Sequence, residues 1–136
     1  MSPLPGVSDW IRRLHEEGWL QAIASAAPRP NIDVVLEALG AAHHFQAIVS
    51  AEDVRKGKPD PEVYLMAASR LGASPDRSIV VEDAVAGVEA AHSAGMRCIG
   101  VSRNGKHLPA DLVVQSLGLL DSDAFENLLQ SSSSAT

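Results

Sequence analysis

The chain has 136 residues, 46% of them hydrophobic and 21% charged, and a formal net charge of −6. That length suits one modest core, and an acidic balance with no long basic stretch excludes nucleic acid as a natural partner. The single cysteine, Cys98, excludes an internal disulfide and points to a reducing, cytoplasmic setting, and no run of about 18 apolar residues is present to span a membrane.

A first helix is predicted over Asp9 to Glu17, capped by Ser8, with Ile11 and Leu14 on its apolar face and Gly18 as its stop. "WLQAIAS" (19–25) reads as a strand. Pro30 opens a second helix with Val34, Val35, Ala38 and Leu39 inward and Gly40 at its end. "AIVS" (47–50) is a short strand. Asp60 and Pro61 start a helix over "PEVYLMAASRL", closed by Gly72. "SIVV" (78–81) is a strand, Ala84 to Ala94 a helix, "MRCIGV" (96–101) a strand and "DLVV" (111–114) a last short one. Asp121 or Asp123 caps a final helix over Ala124 to Gln130. Residues 1–130 read as a single domain, and the serine-rich 131–136 as a disordered tail.

Strands without clear alternation, separated by helices, predict a doubly wound, Rossmann-like α/β fold, with a parallel sheet covered by helices on both faces. In such sheets ligands bind at the carboxyl ends of the strands. Three features fall there. Ser25 offers a hydroxyl followed by backbone N–H groups, beginning with Ala26, a turn that can hold a phosphate oxygen. Lys58 precedes a proline-fixed helix start in "KGKPDPEVY". Glu82 and Asp83 are adjacent carboxylates that repel each other and call for a positive partner, a lysine or a hard cation such as Mg2+. Lysine, hydroxyl and acid pair together suit phosphoryl transfer. Taken singly, Ser25 is equally a strand-end hydroxyl, Lys58 a solvated loop charge and Glu82–Asp83 a cap on the next helix.

The succession "PGV", "AIAS", "GKPDPEVY", "VVEDAVAGVEAAHSAGM" and "CIGV" resembles the haloacid dehalogenase (HAD) superfamily. It is most similar to the branch of β-phosphoglucomutase- and phosphoglycolate-phosphatase-like enzymes. The similarity extends from Leu4 to Leu129. The resemblance implies Mg2+-dependent phosphoryl transfer on a phosphorylated small molecule. It makes Ser25, with Ala26, the phosphoryl-binding turn. It makes Lys58 the catalytic lysine that offsets charge on the phosphoryl group, and Asp83 with Glu82 the acid pair that holds Mg2+.

Members of that family begin with a strand ending in Asp-x-Asp-Gly-Thr/Val, whose first Asp forms an aspartyl-phosphate, and a helical cap follows. No such motif occurs in the sequence, and Asp121-Ser122-Asp123 lacks the Gly-Thr. The expectation is a core without its central first strand and cap, inactive or very weak alone. In the family sheet that strand lies between the "AIAS" and "SIVV" strands, so two apolar edges are left open. Three repairs are available: direct pairing of the two strands, homodimerisation, or a strand-donating partner. Direct closure and homodimerisation need only this sequence and are favoured. The rival functions are a non-enzymatic dimerising or partner-binding module and one half of a split phosphatase.

Among the remaining residues, His43–His44 reads as favourable charge at a helix end, with no third metal ligand evident. Cys98 reads as a buried, inert thiol. Trp10 and Trp19 read as packing residues beside the first helix.

Overall fold

A computed structural model describes residues 6–131. Five helices, α1 (Val7–Glu16), α2 (Arg29–Leu39), α3 (Glu62–Leu71), α4 (Val85–Ser93) and α5 (Ala124–Ser131), alternate with five short strands. The strands are β1 (Ala22–Ala24), β2 (Ala47–Val49), β3 (Ile79–Glu82), β4 (Arg97–Val101) and β5 (Leu112–Val114). All pairings are parallel, as the α/β reading predicts. Of the tail read over 131–136, Ser131 ends α5 and 132–136 lie outside the described residues.

The strands form two sheets, β1–β2 and β3–β4–β5. Direct closure of β1 on β3, one of the two favoured repairs, therefore does not occur. The reason is visible in the packing. α3 packs on the β1–β2 sheet and buries Val63, Tyr64, Ala67 and Ala68 in one cluster that takes in Val49 of β2 and reaches Val80 of β3. With that cluster between them, the two edges do not come to the roughly 4.8 Å of paired strands.

Helices cover both faces. On the α3 side, α4 packs Val88, Ala90 and Ala91 against Cys98, and its small residues let the helix lie close to the sheet. On the opposite side, Trp10 and Leu14 of α1 and Phe125 of α5 pack on Ile99. Adjacent residues Cys98 and Ile99 thus serve opposite cores, as strand alternation requires. Ile99 is fully buried, worth about 1.5–3 kcal/mol of hydrophobic stabilisation.

Local departures from the sequence reading have physical causes. α1 starts at Val7 behind Gly6 rather than at a Ser8 cap. Gly6 sits at φ +83°, and a Cβ there would lie 2.6 Å from the Gly118 nitrogen. The strand predicted over 19–25 shortens to Ala22–Ala24 because the Trp19 N–H closes onto the Leu14 carbonyl and the ring packs against Phe125. On α2, Ile32 and Leu36 are buried, whereas Val34 and Val35 are 66% and 57% exposed. Ile32 and Leu36 are one turn apart and claim the inner face, which turns Val34 to the opposite side.

The amino-terminal edge of the second sheet is held by one carboxylate. Asp111 accepts from the backbone N–H of Cys98 at 2.7 Å, from His92 Nε2 at 2.9 Å and from Arg97 at 3.4 Å. Its pKa lies below the ordinary value: burial pushes it up, but His92 and the Cys98 N–H outweigh that. Asp111→Ala leaves the Cys98 amide without its acceptor and is expected to destabilise the chain by about 1–3 kcal/mol, measured by urea unfolding.

A second cluster joins α1 to the turn Ala42–His44. The His15 ring stands 4.7 Å from His44, which lies 4.0 Å from His43. Desolvation and then the two neighbouring imidazoles lower the His44 pKa. A histidine whose folded pKa is depressed favours folding in its neutral form. That contribution is complete above the unfolded value of about 6.5 and is lost as pH falls through the folded value. Thermal stability is expected to decline between pH 7 and pH 5, and His43→Asn to make the decline shallower.

Candidate active site

The loop before α3 is shaped by two carboxylates. Glu62 accepts the N–H groups of Arg55 and Lys56 at 3.0 and 2.8 Å, and Asp60 accepts that of Glu62 at 3.0 Å. The loop presents Lys58 inward. Its Nζ donates to Glu82 Oε2 at 2.9 Å and sits 5.1 Å from the centre of the Tyr64 ring. Tyr64, on the first turn of α3, donates its hydroxyl to the same oxygen at 2.5 Å. The other oxygen, Oε1, accepts the N–H groups of Asp83 and Ala84 at 3.0 and 3.3 Å, just before α4 begins. An acid there is also favoured by the positive end of the helix.

The Glu82 side chain is 10% exposed and that of Lys58 21%. Burial pushes the Glu82 carboxyl up, but the bonds from Tyr64 and Lys58 outweigh it and the net pKa is lowered. Burial, followed by the Glu82 partner, raises the Tyr64 phenol and keeps it a donor. Gly87 makes room for the arrangement, since a Cβ there would meet the Glu82 carboxyl at 2.0 Å. Asp83, the next residue, is exposed, and its carboxylate has no hydrogen-bond partner among the described residues. The adjacent acids therefore occupy different environments, one turned into the protein and one facing water, as strand alternation dictates.

Ser25 ends β1. Its N–H donates to the Val49 carbonyl, and its Oγ accepts from the Ala27 N–H at 3.0 Å, closing a tight turn with Ala26 exposed at its tip. Ala27 accepts from Ala51 beyond β2, so the ends of β1 and β2 lie together. Lys58 carries the same edge across to the end of β3.

Two residues that the sequence reading did not single out complete this picture, Tyr64 and Gly87; the Asp111 cluster, also not singled out, lies at the opposite edge of the sheet. For Tyr64 the signal was its place one turn after the Pro61 helix start. His15, which joins His43 and His44, was hidden by sequence distance. Among the described residues no group of three or more His, Cys, Asp or Glu side chains is arranged to hold a metal ion. Cys98 is fully buried, its thiol pushed up to about 12 by burial and then by Glu82 and Asp111, and so is inert as read. Asp121 and Asp123 give their carbonyls to the first turn of α5. No described helix is long and apolar enough to cross a membrane.

Between β1 and β3 lies a cavity of about 670 Å3, lined by Ala22, Ala24, Ile79 and Val81 with Lys58 and Glu82 at one end. It occupies the place where the resemblance left a strand out.

The chain is similar in sequence and fold to several known proteins. β-Phosphoglucomutase of Bacillus subtilis (strain 168) is 39% identical over 112 residues, covering 82% of this chain and 49% of that protein. Phosphoglycolate phosphatase of Salmonella paratyphi A is 34% identical over 98 residues, covering 72% of this chain and 39% of that protein. The crystal structure of CbbY from Rhodobacter sphaeroides in complex with phosphate superposes with a TM-score of 0.84 at 30% identity, over 92% of this chain and 59% of that one. The chain thus spans about half or less of the length of these curated relatives. The family profile for haloacid dehalogenase-like hydrolases matches residues 1–101. By that match and by its fold, the chain belongs to the haloacid dehalogenase-like hydrolases.

Proposed function

We propose that this chain carries the lysine–acid half of a phosphoryl-transfer site for a phosphorylated small molecule. The observation that carries the reading is the Lys58 ammonium fixed 2.9 Å from Glu82 at the edge where β1 and β3 end, with Asp83 open to solvent beside it. An ammonium has three N–H donors. One holds Glu82, which leaves Lys58 donors for a phosphoryl oxygen, with the Ser25–Ala26 turn as a second contact. Asp83 is the residue that would hold Mg2+. One open carboxylate, completed by waters and a phosphate, suits that ion. Glu82 is the positioning residue behind it, both its oxygens being engaged within the protein. When bound, Mg2+ supplies charge neutralisation at the phosphate. No residue of this chain takes the nucleophile's role in the reading, so the 136 residues alone bind phosphate and turn phosphate esters over very slowly or not at all.

A second reading, a dimerising or partner-binding module, is favoured by the open edges of β1 and β3. A stable dimer indifferent to Mg2+ and phosphate would select it.

Titration of the whole chain with inorganic phosphate in the presence of Mg2+, followed by calorimetry, is expected to give weak saturable binding. Lys58→Met should weaken it by about tenfold, the worth of one charge-assisted hydrogen bond. Asp83→Asn should remove the Mg2+ dependence with little change in stability. Hydrolysis of an aryl phosphate that disappears in Asp83→Ala would mean that this chain does hold a nucleophile. Gly87→Ala tests the arrangement itself. The added methyl must displace the Glu82 carboxyl, and a loss of about 1–3 kcal/mol on chemical unfolding is expected.

A further inference from the structure

We propose that the Tyr64 hydroxyl is a latch that keeps the Glu82 carboxylate turned into the protein, so that a cation at this site meets Asp83 alone and is bound weakly. The proposal rests on the reading above in taking Asp83 as the residue for Mg2+. Tyr64 acts through Glu82 and is a positioning residue.

Four donors hold Glu82, and they differ in what fixes them. Lys58 Nζ lies 2.9 Å from Oε2, but it rides on a flexible four-carbon stem at the end of a loop and can follow the carboxylate outward. The amides of Asp83 and Ala84, at 3.0 and 3.3 Å from Oε1, belong to the segment that carries Asp83 itself. Tyr64 is different. It is 5% exposed and packs in one cluster with Val63, Ala67, Val49 and Val80. Its hydroxyl reaches Oε2 at 2.5 Å from a ring that the core holds in place. Of the four donors it is the one that cannot follow the carboxylate toward water.

α4 supplies the matching space. A Cβ at Gly87 would stand 2.0 Å from the Glu82 carboxyl carbon and from Oε2, so the inward carboxylate fills the volume that glycine leaves open. One helix gives the hold and the other the room.

The consequence for a cation is direct. Hard cations bind more tightly as more carboxylate oxygens join them. Glu82 is next to Asp83 in sequence, yet both its oxygens are committed to protein donors. Turning it outward breaks a charge-assisted hydrogen bond and strands the phenol in the core without an acceptor. That penalty keeps the second carboxylate away from the cation. It also keeps Lys58 beside the inward Glu82, 5.1 Å from the centre of the Tyr64 ring, at the edge where the reading above places the phosphate.

The test follows Mn2+ by electron paramagnetic resonance, as a probe with the same preference for oxygen ligands as Mg2+, on the whole chain without phosphate. Tyr64→Phe keeps the ring, its packing and its place beside Lys58 and removes only the hydroxyl. It is expected to bind Mn2+ about tenfold more tightly than the parent, since the hydrogen bond no longer has to be broken, while its urea midpoint falls. A merely structural lesion would weaken both. Gly87→Ala displaces the same carboxyl from the α4 side. It should also tighten Mn2+ while losing stability, and it carries the test should Tyr64→Phe not fold. Adding Glu82→Gln to either variant should remove the gain. No gain in the folded variants, or a gain that survives Glu82→Gln, would overturn the latch; with Asp83→Asn abolishing Mn2+ binding, the reading of the site would stand. Binding that Asp83→Asn leaves intact, or no Mn2+ binding by any of these chains, would overturn both.

Discussion

The carboxylate of Glu82 is the group around which this molecule is arranged. Burying an anion costs several kcal/mol unless its oxygens are satisfied. Here Lys58, Tyr64 and two backbone amides divide its two oxygens between them. The four donors come from three segments: Lys58 from the loop after β2, Tyr64 from the first turn of α3, and the Asp83 and Ala84 amides from the approach to α4. Satisfying one charge therefore fixes three elements relative to β3. The absence of a Cβ at Gly87 belongs to the same constraint, because the carboxyl fills the volume that any other residue would need.

The same interaction ties two sheets that do not pair. Lys58 belongs to the β1–β2 side and Glu82 to the other, so their ion pair crosses the gap at one end, while Tyr64 and the alanines of α3 cross it along one face. On the opposite face Trp10, Leu14 and Phe125 gather over Ile99, with Trp19 alongside. The opening between the edges is thus walled by side chains on both faces and by backbone on both flanks.

Much of this was legible in the sequence. Gly40 and Gly72 end their helices in the left-handed region, as such glycines do. The order of helix and strand, and the parallel pairing it implied, stand. Lys58 meeting Glu82 was readable as the positive partner two adjacent acids require. Other features were hidden. That Glu82 turns inward and Asp83 outward depends on the register of β3, which no local pattern fixes in so short a strand. The inner face of α2 was misread because Val34 and Val35 are as apolar as Ile32 and Leu36. Only the tertiary surroundings decide which pair is covered. Closure of β1 on β3 was one of the two repairs favoured from sequence, but the two strands belong to separate sheets with the α3 cluster between them.

The division of the sheet also bears on how the fold is held against fluctuation. β1 and β2 come from residues 22–49, and β3 to β5 from residues 79–114, so each sheet is assembled from its own contiguous stretch of chain. Such segments are natural units of partial opening. Their cooperation depends on the core cluster that α3 shares with Val80 and Cys98 of the second sheet, and on the Lys58–Glu82 pair at one edge. Only an extended backbone in the space between them would add hydrogen bonds to both edges at once and couple the two units directly.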